Sequence, residues 1–83
     1  MKMRVGIREK NKKKYYTYKD VHFDEDGWAD VNLYLPMEYD LCYLKTANEE
    51  TKIGWSKGNK WDGQKIKKKD VILFWKRKSE WDA

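Results

Sequence analysis

The sequence predicts a mainly β fold: a small antiparallel meander curled into an SH3-like barrel, with five or six short strands and at most one short helix. Three observations carry this. Short stretches alternate apolar and polar residues with a period of two. Turn-forming residues separate those stretches at close intervals. No stretch sustains a helical period. Small all-β domains of this kind bury their strand edges by curling.

The elements follow in order. Arg4-Val5-Gly6-Ile7-Arg8 alternates as a strand does. Glu9 to Lys14 is a polar, lysine-rich turn containing Asn11. Tyr15 to Phe23 is rich in Tyr, Thr and Val and makes a second strand, paired with the first as a hairpin. Asp24-Glu25-Asp26-Gly27 is a turn, with acids early and Gly at the position needing positive φ. In Trp28 to Leu35, Val31, Leu33 and Leu35 alternate with Asp30, Asn32 and Tyr34, which favours an extended segment. Pro36 then biases Leu35 away from helix.

Tyr39 to Thr46 is apolar on both faces at Leu41-Cys42-Tyr43-Leu44, as a central buried strand is. Ala47 to Glu50 turns the chain, and Thr51, Ile53 and Trp55 share one side of the next strand. These two segments form the best hairpin. Lys57-Gly58-Asn59 is a turn, Trp61 begins a short strand, and Asp62-Gly63 bends. Gln64 to Asp70 is a lysine-rich loop, and Val71 to Trp75 is a strong β-branched and aromatic strand. A short helix fits at Pro36 to Tyr39 or at 64–70. Residues 1–83 make one domain, with 79–83 as a loose tail.

Five Trp, six Tyr and two Phe supply the core. A chain of 83 residues needs such dense apolar groups, because a small domain buries a modest share of its surface. One cysteine, Cys42, excludes an internal disulfide and points to a reducing compartment. Met1 to Lys14 has no apolar stretch of the signal-peptide kind, and the longest apolar run, Val71 to Trp75, is far short of a membrane span. The expected location is the cytoplasm.

Net charge is +5, distributed as basic, acidic, basic along the chain. Residues 1–19 hold eight Lys or Arg and one acid; residues 20–50 hold one Lys and nine acids; residues 51–83 hold ten Lys or Arg and four acids. This order either segregates into two charged faces or intermixes on a solvated surface.

Trp28-Ala-Asp-Val31-Asn-Leu-Tyr-Leu35-Pro36 has Trp, Val and Leu-Pro at spacings that resemble the opening of the DUF551 family, small proteins of phages and prophages. A strand with a Tyr follows, as in Leu41-Cys42-Tyr43, then Gly54-Trp55 and Gly58-x-x-Trp61, and a final strand ending on Trp75. The resemblance covers about 28–76. It departs after Trp75, where the family has Trp-x-x-Leu-Pro and this chain has Lys76-Arg77-Lys78. It implies a phage or mobile-element origin and no activity.

Catalytic candidates are few. His22 lies near Asp20, Asp24 and Asp26, where a carboxylate-assisted general base is conceivable, but a strand-end His beside an acidic turn explains it as well. Cys42, between Leu41 and Tyr43, reads as a small core residue. No C-x-x-C or H-x-x-x-H spacing supports a metal, and Asp24 to Gly27 lacks the later Glu of a calcium loop. No catalytic residue, metal or cofactor is assigned.

Two binding surfaces are expected. The acidic middle, Asp20, Asp24, Glu25, Asp26 and Asp30 with Glu38, Asp40, Glu49 and Glu50, would oppose a basic partner, with Trp28, Tyr34, Trp61 and Trp81 as exposed anchors. The leading expectation is thus a non-enzymatic, phage-type accessory protein that binds a host protein or protein–nucleic-acid complex and inhibits it, in the anti-CRISPR manner. The alternative is direct binding of single-stranded nucleic acid. Lys12, Lys13 and Lys14 precede Tyr16 and Tyr18; Lys57 and Lys60 flank Trp61; Lys67, Lys68 and Lys69 form a further cluster. Lysines meet phosphates and rings stack on bases. Lys far outnumbers Arg, however, and Arg is the bidentate phosphate binder. The edge strand Arg4 to Arg8 has lysine-rich flanks that oppose pairing with a second copy.

Overall fold

The computed structural model describes residues 1–9 and 12–81. Lys10 and Asn11 of the expected first turn, and Asp82 and Ala83 of the expected tail, lie outside the described residues. Strand β1 (Lys2–Ile7) and strand β2 (Tyr15–Asp20) form an antiparallel hairpin and a sheet of their own. Period-two alternation sets its buried side: Met3 and Val5 point inward, while Lys2 and Arg4 face solvent.

The second sheet holds β3 (Ala29–Asp30), β4 (Cys42–Thr46), β5 (Thr51–Lys57), β6 (Lys60–Asp62) and β7 (Ile72–Arg77). Its order is β3-β7-β4-β5-β6, and every pairing is antiparallel. The β4–β5 hairpin aligns Cys42 with Gly54 and Leu44 with Lys52, as the sequence leads one to expect of these two segments. β4 is the middle strand, with Cys42 and Leu44 fully buried.

This topology overturns the expected SH3-like barrel and with it the meander. The loop after β6 carries β7 back past β5 to a place between β3 and β4, so the sheet order departs from the chain order. The hairpin β1–β2 pairs with no strand of the larger sheet; it bridges instead to the connection between β3 and β4, where Gly6 and Leu35 exchange N–H···O bonds of 2.7 and 2.8 Å. Closing a barrel needs an unbroken ring of paired strands, and one bridge does not supply it. The two sheets instead share a core of Met3, Val5, Val21, Ala29, Cys42, Leu44, Ile72 and Trp75. Trp75 anchors it: its side chain is fully buried and its indole N–H donates to the Tyr34 carbonyl at 2.8 Å.

Several local expectations change. The segment Trp28 to Leu35 is extended only at β3. Asp30 then stops the strand, because its carboxylate accepts from the Asn32 N–H at 2.8 Å and its carbonyl accepts from Leu33 and Tyr34. Leu33 consequently faces solvent. The one helix among the described residues is α1 (Lys78–Trp81), a single turn where a loose tail was expected; Pro36 to Tyr39 and 64–70 are non-helical. A register shift between Lys45 and Thr46 leaves Leu73 of β7 without an opposite residue. No described helix is long and apolar enough to cross a membrane.

Strand β5 shows why Thr51, Ile53 and Trp55 share a side: it is the side away from the hairpin. The core side carries Gly54 and Ser56, both buried. Gly54 is required there, since a Cβ would strike the Asp62 carbonyl of β6 and press on Leu44.

Candidate nucleic-acid interface

The β5–β6 turn organises the basic residues. Gly58 sits in it with φ 59°, a conformation that favours glycine. The Gly58 N–H donates to Glu38 Oε1 at 2.8 Å, and Lys14 Nζ donates to the Gly58 carbonyl at 3.0 Å and to Ser56 Oγ at 3.3 Å. Lys14 also pairs with Glu38 at 3.4 Å. The Gly58 N–H bond first, and Lys14 second, hold the Glu38 carboxyl below the ordinary carboxylate range. Tyr16 lies beside Glu38 and helps to depress it, although its buried hydroxyl falls short of hydrogen-bond geometry. Lys14 is therefore committed to the turn, with its side chain 7% exposed.

Around this turn two hollows meet, and Asn59 lines both. The first is lined by Arg8, Lys12, Lys13, Lys14 and Gly58. The second is a groove of about 800 Å³ lined by Lys57, Lys60, Trp61, Ile66, Lys67 and Lys68, with Asp62 and Asp70. Trp61 belongs to β6 and is half-buried against the core, so one part of its ring surface is fixed while the rest lines the groove. Members of these three lysine clusters thus converge on one turn. Sequence reasoning missed Arg8 and Asn59, which join the clusters. Only the pairing of β5 with β6, beside the β1–β2 loop, puts them there.

The loop that brings Lys67 and Lys68 to the groove is pinned by one pair. Lys52 Nζ donates to Asp70 Oδ2 at 2.7 Å and to the Lys65 carbonyl at 3.1 Å. The Lys67 N–H donates to the same Asp70 oxygen at 2.8 Å. Lys52 first, and the Lys67 N–H second, hold the Asp70 carboxyl below its ordinary 3.8. Asp70 is thereby neutralised locally and takes little from the positive charge of the groove. Lys69 is exposed on the same loop but does not line the groove, and Tyr18, 65% exposed, stands apart on β2.

The acidic residues do not gather in the same way. Asp20 pairs with the Met1 ammonium at 2.7 Å. Asp24 accepts from the N–H groups of Asp26 and Trp28, Asp30 closes the turn after β3, and Asp40 pairs with Arg77 at 3.4 Å. Glu25 and Asp26 are exposed near the Arg77 end of β7, where Lys76 Nζ reaches the Asp26 carbonyl. Glu49 and Glu50 are exposed in the β4–β5 turn, beyond the Ile72 end. Of the expected anchors, Trp28 is buried and Tyr34 and Trp61 are half-buried, while Trp81 is exposed. Lys76 lies between the Trp28 and Trp81 rings, 4.4 and 4.6 Å from their centroids.

His22 is exposed, and Cys42 is buried with its thiol directed to the Asp40 carbonyl at 3.3 Å. Burial first, and Asp40 second, push that thiol up to about 12, which keeps it protonated. Among the described residues no three His, Cys, Asp or Glu side chains come together.

No family model, no curated protein and no solved structure matches this chain. The DUF551-like pattern accordingly stands on its short motifs alone, and packing accounts for them: Trp28, Leu35 and Pro36 are buried and Val31 packs against the core. The phage-type and anti-CRISPR identity gains no support from these comparisons and is not carried further.

Proposed function

We propose that this protein binds single-stranded nucleic acid, without catalysis, along the basic tract around the β5–β6 turn. One observation carries the reading: Lys12 and Lys13, Lys57 and Lys60, and Lys67 and Lys68, distant in the chain, line two hollows that meet at Asn59, with Trp61 in the larger one. Phosphates pass over the lysines and Arg8, and a base stacks on the accessible part of Trp61. Lys14 and Lys52 serve beneath, holding the turn and the loop. Lysine suits a sequence-tolerant contact, because a point charge on a flexible stem follows a flexible backbone. The dispersed acids, most of them engaged in turns or ion pairs, give an acidic docking face less support.

The test is fluorescence anisotropy with labelled oligo-dT and oligo-U across a salt series. Binding is expected to weaken with salt, with a log–log slope of about −0.7 per phosphate neutralised. Absence of binding at low salt, or tighter binding to duplex than to single strands, would overturn the reading.

A further inference from the structure

The five-stranded sheet has a second face, turned away from the β1–β2 hairpin. Register and alternation place Tyr43 and Lys45 of β4, Ile53 and Trp55 of β5, and Phe74 and Lys76 of β7 on it. Tyr43 stands opposite Ile53 and Lys76, and Lys45 opposite Phe74. Tyr43, Trp55 and Phe74 are only half-buried and Ile53 is 44% exposed; on the α1 side the Lys78 ammonium stands over the Tyr43 ring at 5.7 Å and the Lys45 ammonium over the Trp28 ring at 5.8 Å. The face has a closed side and an open side. Toward β3 it ends at the stack of Trp28, Lys76 and Trp81. Toward β6 it continues to Lys57 and Lys60, which stand opposite each other at the turn and line the basic groove.

We infer that this partly open sheet face is the base-stacking platform of the same bound strand, with Trp55 as its principal ring, Tyr43 beside the Lys78 ammonium as its second, and Lys45 and Lys57 as its flanking cations. The inference rests on the proposed nucleic-acid binding and extends its path from the turn onto the sheet. Charge selects the occupant. Lysines at positions 45, 57, 60 and 76 share this face with the acids Asp30 and Asp62, and Asp30 is engaged in its own turn. A second copy seated here would oppose lysines to lysines, which disfavours self-association; a polyanion meets no such repulsion. Geometry also fits. Tyr43 and Trp55 are diagonal neighbours on adjacent strands, about 7–8 Å apart, so rings on this lattice hold bases of an extended strand splayed rather than stacked on one another.

The experiment uses the unaltered protein and two kinds of variant. An oligo-dT carrying 5-bromodeoxyuridine is photocrosslinked to the unaltered chain and the adducts are mapped by mass spectrometry; crosslinks at Tyr43 or Trp55 are expected. In anisotropy titrations Trp55→Ala is expected to bind about ten-fold more weakly with an unchanged salt slope, while Trp55→Phe, which keeps a ring, retains most of the affinity. Lys57→Gln with Lys60→Gln is expected to reduce the slope by about one to two. Thermal melts confirm that each variant folds. Wild-type affinity in folded Trp55→Ala, together with crosslinks confined to the turn, would overturn the inference and leave the proposed function standing. So would a dimer that Trp55→Ala dissociates, since the face would then belong to a second copy. Loss of binding by the unaltered protein itself would remove the proposed function instead.

Discussion

The two faces of the five-stranded sheet are built by the same alternation and put to opposite uses. The covered face carries Cys42, Leu44 and Trp75, all fully buried under the hairpin, with the small Gly54 and Ser56 where strands crowd. The open face carries Tyr43, Trp55 and Phe74, half-buried and interleaved with lysines. The open face carries more rings than the covered one, so aromatic content does not mark the core. What marks it is complete burial: Trp75 is fully enclosed, and its indole N–H is satisfied by the Tyr34 carbonyl. The lysines divide likewise. Lys14 and Lys52 are enclosed and paired with Glu38 and Asp70, whereas those at the groove rim face solvent.

The sharpest way to break this contrast is a matched pair of truncations. Trp75→Ala is expected to cost about 3–5 kcal/mol, whereas Trp55→Ala on the other face costs about 1 kcal/mol. Equal losses in urea titrations would mean that the open face is structural. Next in size is Gly54→Ala, which forces a Cβ toward the Asp62 carbonyl. Overpacking of this kind costs about 1–3 kcal/mol, and amide exchange would locate the damage at the β5–β6 pairing. An undisturbed β6 would show that the close approach is dispensable.

Smaller and pH-dependent is the effect of Asp70→Asn. The folded state holds the Asp70 carboxyl below its ordinary 3.8, so its stabilisation is present above that value and is lost as pH falls through the depressed one. The gap in Tm between the wild type and Asp70→Asn should therefore be widest near neutrality and close in acid. A gap independent of pH would show that the charge of the Lys52–Asp70 pair does not hold the loop. The smallest effect belongs to Glu49→Gln with Glu50→Gln, exposed in the β4–β5 turn: stability within about 0.5 kcal/mol of wild type and no more than a slight gain in oligonucleotide affinity. A large change in either would restore the acidic residues to the functional argument.

Much of the strand pattern was legible. Arg4 to Ile7, Tyr15 to Asp20, Cys42 to Thr46, Thr51 to Trp55 and Ile72 to Trp75 fall where periodicity and turns place strands. Trp28 to Leu35 misled because Asp30 competes for the backbone N–H groups that a strand would need. The candidate site was legible as lysine clusters and Trp61. Its assembly was not, since Arg8, Asn59 and Lys67 lie far apart in the chain.

The sequence by itself determined where strands form, because a two-residue period and turn residues are local properties. It also determined that rings are plentiful enough to fill a small core and that lysines come in clusters. The tertiary structure decided the rest. Period two is symmetric, so alternation alone does not say which side of β5 is covered; the crowding at Gly54 and the hairpin above Leu44 do. The place of β7 between β3 and β4 depends on pairings between residues as distant as Ala29 and Trp75, and that placement replaced the expected barrel with two sheets. Which lysines remain available was settled by burial, since a cation taken out of water needs a carboxylate beside it. Lys14 and Lys52 have theirs, and the rim lysines stay in solvent where a phosphate can reach them.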